Sequence, residues 1–224
     1  MKLEPVNKNE VIRYLRYGNH TPDEIIMNMI DECEQILLRK ITPAFTYKIF
    51  DKEILSDKTI KPGGTNIILS GNDIREHLDK CEKLLMICVT LTHETDRLIK
   101  ITQVTDKTKA LILDAVANAA IEQVCDKVCE EIYQKLPDYF QTSRFSPGYG
   151  DFPLTIQKNF LNILDAQKRI GVTINNENIM NPMKTVTAIV GLSKHQLPQK
   201  KRGCCCCKNN QTCEYRKAGN TCGY

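Results

Sequence analysis

Leu84-Leu-Met-Ile-Cys-Val-Thr-Leu91 is the longest nearly unbroken apolar run in the chain. It is far too short to span a bilayer. As a nearly continuous apolar run it reads as a central strand buried on both faces. The segments around it alternate in type. Upstream, Phe45-Thr-Tyr-Lys-Ile-Phe50 alternates like a strand, and Thr65 to Leu69 is a second candidate. Ser70 is positioned to cap a helix from Asn72 to Cys81. Downstream, Glu94–Gln103 and Asp106–Lys135 read as helices, Phe140–Phe145 as extended, and Thr155–Ile170 as a helix stopped by Gly171. Val172–Ile174 and Lys184–Leu192 read as strands. At the N-terminus, residues 8–18 form a short helix, and Thr21-Pro22-Asp23-Glu24, with Thr21 as N-cap, opens another running to Arg39. Helices and strands interleave without a regular βαβ series. The expected fold is α+β: a mixed, mainly antiparallel twisted sheet with helices packed around it, followed by a Cys-rich C-terminal tail.

Composition bounds the function. The chain has 224 residues, of which 42% are hydrophobic, enough to build a core. Its start lacks the apolar segment of a signal peptide. No membrane partner is expected, and a cytoplasmic location is the default. The net charge of +4 is unevenly placed. From Lys194 onward there are seven Lys/Arg against one acid, Glu214, a net +6 that leaves −2 on residues 1–193.

The 11 cysteines divide at the same point. Cys33, Cys81, Cys88, Cys125 and Cys129 are scattered and read as small buried side chains. The other six crowd the tail, where Cys204-x-x-Cys207, Cys213 and Cys222 offer four thiolates to a tetrahedral zinc or an iron–sulfur cluster. Redox-active thiols and an unstructured tail are the competing readings. The composition break at residues 194–200 divides the chain into a body, 1–193, and a basic tail, 194–224. No nucleic-acid partner is expected. The tail lacks paired Cys-x-x-Cys knuckles, and the acidic body has no aromatic–basic stripe. His20, His77, His93 and His195 are scattered and suggest no catalytic constellation.

The most informative stretch is Arg144-Phe-Ser-Pro-Gly-Tyr-Gly-Asp-Phe-Pro153. Arg144 presents a planar fork suited to a carboxylate. Gly148 allows close backbone approach, and Tyr149 supplies a ring and a hydroxyl. On the residues alone, Arg144 paired with an acid of the protein and a simple Pro-Gly-Tyr turn is the competing reading.

This stretch resembles the Arg-x-x-x-Gly-Tyr…Pro signature of the S-adenosylmethionine-binding activation domain of cobalamin-dependent methionine synthase, in its short free-standing form. Leu113-Asp-Ala-Val-Ala-Asn-Ala-Ala-Ile-Glu-Gln-Val resembles that domain's helix, and Met180-Asn-Pro-Met-Lys-Thr-Val-Thr-Ala-Ile-Val-Gly191 its late strand. The resemblance covers residues 8–193. It implies S-adenosylmethionine binding by Arg144, Ser146, Gly148, Tyr149, Asp114 and Asn118. It further implies a cobalamin-binding methionine synthase or other corrinoid protein as partner. The chain would then be an enzyme component, supporting reductive methylation of cob(II)alamin. In the tail, Lys200, Lys201 and Arg202 suit contact with an acidic electron donor such as a flavodoxin or ferredoxin. Asn118 departs from the family pattern, which has an acid there. Glu122, one turn on, is a candidate substitute. If the ligand site is lost, the alternative is a metal or iron–sulfur protein that docks on a corrinoid protein without binding S-adenosylmethionine.

Overall fold

A computed structural model of the chain describes residues 1–18, 20–55, 59–197 and 210–217. These residues fall into two compact units. One contains Ile41–Asp96 and Ile121–Leu197, and the other Leu3–Lys40 and Arg97–Ala120.

The first unit is built on β1 (Ala44–Ile54), β2 (Ile60–Pro62), β3 (Lys83–Thr90), β4 (Phe140–Gln141) and, after the hairpin β5 (Thr173–Ile174) and β6 (Met180–Asn181), β7 (Thr185–Ser193). The five-stranded sheet has the order β2-β1-β3-β7-β4. Every one of these pairings is antiparallel, so the sheet is not mixed. The central place of β3 follows from its apolar run. Both alternating sets of its side chains are buried, Leu84, Met86 and Cys88 on one face and Leu85, Ile87 and Val89 on the other. The first set joins Phe152, Phe160, Leu161 and Ile189 in one core cluster.

Local chemistry moved several expected boundaries. Thr65–Leu69 is not a strand. Thr65 Oγ1 donates to the Pro62 carbonyl at 2.7 Å and accepts from the Ile67 amide at 3.3 Å, closing a side-chain turn that competes with a ladder. Only Leu69 in this stretch bridges back, to Ile60. Helix α3 spans Asn72–Leu78 and is capped neither by Ser70 nor by its N-cap residue Gly71.

The expected Thr155–Ile170 helix is interrupted. A 3₁₀ turn (Leu154–Ile156) leads into a helix at Gln157–Ile163, and a second runs from Ala166 to Ile170. Between them Asp165 is left-handed, with φ +51°. Lys48 Nζ donates to the Ile163 carbonyl at 2.6 Å and to Asp165 Oδ2 at 3.1 Å, satisfying the groups exposed by the break. Gly171, at φ +71°, ends the second segment as expected.

In the second unit, α1 is Lys8–Tyr14 and α2 is Glu24–Lys40. The cap of α2 is Asp23, whose Oδ1 accepts from the Ile26 amide at 2.9 Å; Thr21 lies too far upstream. Ile30, Cys33 and Leu37 form the buried stripe of α2. Helices α4 (Thr92–Thr105) and α5 (Lys107–Tyr133) supply residues to both units. Asp106 Oδ1 accepts from the Lys109 amide at 2.9 Å, so the longest helix starts where the sequence places it. Among the described residues no helix is long and apolar enough to cross a membrane.

Candidate functional site

The Arg144–Pro153 loop is tied to the sheet at its first residues. Phe145 and Ile189 exchange two backbone hydrogen bonds, each 2.9 Å. The Tyr149 amide then donates to the Ser146 carbonyl at 3.1 Å, the Gly148 amide to Phe152 at 2.8 Å, and the Phe152 amide back to Tyr149 at 3.0 Å. These bonds fold the loop over a buried floor of Pro147 and Phe152. Gly148, at φ +92°, makes a turn that a side chain would strain. Gly148, Tyr149 and Gly150 form the exposed rim, with Tyr149 56% accessible.

Phe145 holds the rim from below. Its ring centroid lies 4.9 Å from that of His77, 6.1 Å from Tyr149 in an edge-on arrangement, and 6.2 Å from Phe152. His77 in turn sits 2.9 Å from the Ser143 carbonyl. The far end of the loop is anchored by Asp151, whose carboxylate accepts from the Asn72 and Asp73 amides at 2.6 and 2.9 Å. That carboxylate is the N-terminal cap of α3, supplied from 79 residues downstream.

Arg144 points its fork at helix α5. Nη2 donates to Glu122 Oε2 at 2.8 Å, and Nη1 donates to Asp126 Oδ1 at 2.5 Å. The arginine side chain is 20% exposed. Burial works against its charge, but neighbouring Cys125, Asp126 and Glu122 outweigh that and hold its pKa above the ordinary value. Cys125 and Cys129 lie beside the guanidinium. Burial raises both thiol pKa values, and Arg144 partly opposes this.

Of the six expected ligand-binding residues, Arg144, Ser146, Gly148 and Tyr149 share this loop in the first unit. Asp114 and Asn118 belong to the second unit, where the Asn118 side-chain amide donates to Asp114 Oδ2 at 3.1 Å. Two residues escaped the sequence reading: Asp126, the second acid on Arg144, and Asp151, the distant cap. Asp126 had a legible signal, since it follows Glu122 by four residues on one helix face. Asp151 had none, because its partners are remote in sequence.

The proposed metal ligands Cys204, Cys207 and Cys222 lie outside the described residues. Cys213 is described and half-exposed. Among the described residues no three His, Cys, Asp or Glu side chains gather as a metal site.

No family model and no curated protein sequence matches the chain. A solved structure does. The crystal structure of the MetH reactivation domain bound to AdoHcy aligns over 88% of this chain and 75% of its own, with a TM-score of 0.64 and 14% identity. The chain therefore has the fold of that reactivation domain.

Proposed function

We propose that this chain binds S-adenosylmethionine on the Arg144–Pro153 loop and serves as an activation module for a separate cobalamin-dependent methionine synthase. The observation that carries this reading is the shared fold, over 88% of the chain, with a reactivation domain that holds AdoHcy. The loop suits such a ligand. Gly148 exposes backbone without a Cβ, Tyr149 offers a ring at the rim, and Ser146 a hydroxyl. Glu122, beside Arg144, provides the negative charge that Asn118 lacks for a ligand ammonium.

S-adenosylmethionine would supply the methyl group that traps reduced cobalamin on the partner. The chain's own part is positioning and exclusion of water, which needs no general acid or base. Its partners would be a corrinoid protein and a flavodoxin or ferredoxin. The tail's four thiolates fit zinc or an iron–sulfur cluster by donor type. An iron–sulfur cluster would suit the delivery of a low-potential electron.

A second reading has its own support: docking on a corrinoid protein without S-adenosylmethionine. Arg144 is already paired with two protein carboxylates, and Asn118 with Asp114. Calorimetric titration with S-adenosylmethionine, on wild type and Tyr149→Ala, separates the two. Binding that weakens in the variant supports the first, and no binding to wild type the second.

A further inference from the structure

The two carboxylates on Arg144 differ in standing. The Glu122 side chain is 38% exposed and that of Asp126 is 75% exposed. Each takes a different terminal nitrogen, so both arms of the fork are occupied from within the protein. An ion pair with so exposed a member favours the paired state only a few-fold. A guanidinium fork binds carboxylates in general, and an incoming carboxylate at this site must compete with those in place.

We infer that Asp126 is an internal competitor for Arg144 and so determines the affinity for ligands that carry an amino-acid carboxylate. This rests on the proposal that the loop binds S-adenosylmethionine. The ligand carboxylate replaces Asp126 on Nη1. Glu122 remains on Nη2 and accepts from the ligand ammonium. The exchange conserves contacts, since one guanidinium–carboxylate pair is lost and one is made. Asp126 turns into water from a position already three-quarters exposed, so little desolvation changes. Glu122, nearer the interior, has less solvent to turn into and stays. Asp126 is thus a specificity-determining residue. It weakens ligands with a carboxylate and leaves those without one untouched.

The test is Asp126→Ala, a substitution at an exposed helix position by the best helix former. Wild type and variant are titrated with S-adenosylmethionine, with AdoHcy, and with 5′-methylthioadenosine, which lacks both carboxylate and ammonium. Glu130→Ala removes another exposed acid one turn further along α5 and serves as the charge control. The expected result is binding of the first two ligands about two- to fivefold tighter in Asp126→Ala. Methylthioadenosine binding, and all binding by Glu130→Ala, should be unchanged.

The sign matters. S-adenosylmethionine is a net cation, so loss of an acid by a general charge effect would weaken it, and misfolding would also weaken it. Unchanged or weaker S-adenosylmethionine binding in Asp126→Ala, with wild type binding normally, overturns the inference and leaves the function standing. Equal tightening of methylthioadenosine overturns it too. No binding by either form removes the underlying function, and the inference with it.

Discussion

Asp151 occupies the space that a side chain at Gly71 would need: a Cβ built there would stand 2.7 Å from Asp151 Oδ1. The same carboxylate caps α3, so the glycine and the acid form one joint between a helix start and the far end of the loop. Gly150 is closed similarly, against the Asp73 side chain. The joint adjoins the exposed rim at Gly148 and Tyr149 in the chain.

Gly71→Ala meets both a positive φ, +127°, and the approach to Asp151. It is expected to cost roughly 1–3 kcal/mol of stability, measured by urea denaturation. Asp151→Ala leaves the cap amides unsatisfied and is expected to cost about 1 kcal/mol. A neutral Gly71→Ala would mean that the helix start is free to move away from Asp151.

Gly191 lies on β7, where a Cβ would press on Cys81 Sγ and come within 3.0 Å of Leu78 Cδ2. Gly191→Ala overpacks this corner and is expected to cost roughly 1–3 kcal/mol. Cys81→Ala removes the first clash, so the double variant should recover part of the loss. Strict additivity of the two substitutions would contradict the packing.

The central strand was legible because Leu84 to Val89 leave no polar position for a solvent face. The start of α5 was legible because Asp106 caps it locally. Features set by distant residues were not. Nothing near Ser70 announces a cap from Asp151, and nothing near Asp165 announces that Lys48 will satisfy a broken helix. The site divides along the same line. The Gly148–Tyr149 turn is local and readable, whereas the company that Arg144 keeps depends on how a helix 18 to 22 residues upstream packs.

Burial raises the thiol pKa values of Cys33 and Cys81 to about 11 and of Cys88 to about 12. In the unfolded chain these thiols ionise near their ordinary value, about 9. The unfolded state therefore loses protons first as pH rises. Their contribution to stability is complete below about pH 9 and is lost towards pH 11–12. Denaturation midpoints should therefore drop as pH rises from about 9 towards 11–12. At neutral pH these three thiols should resist iodoacetamide until the protein is unfolded, as mapped by mass spectrometry. Rapid native-state alkylation of Cys88 would contradict its burial.

The tail proposal predicts iron and acid-labile sulfide in anaerobically purified protein, both lost in Cys204→Ser and Cys207→Ser. Zinc without sulfide would replace the electron-delivering role by a structural one. Neither metal in the wild type would remove the proposal.

Isothermal titration of the wild type is the first measurement of whether this fold binds S-adenosylmethionine through the Arg144–Pro153 loop. Saturable one-to-one binding of S-adenosylmethionine is expected, weakened at least several-fold in Tyr149→Ala while the thermal midpoint holds. Absence of heat with the folded wild type, for S-adenosylmethionine and AdoHcy alike, would contradict it.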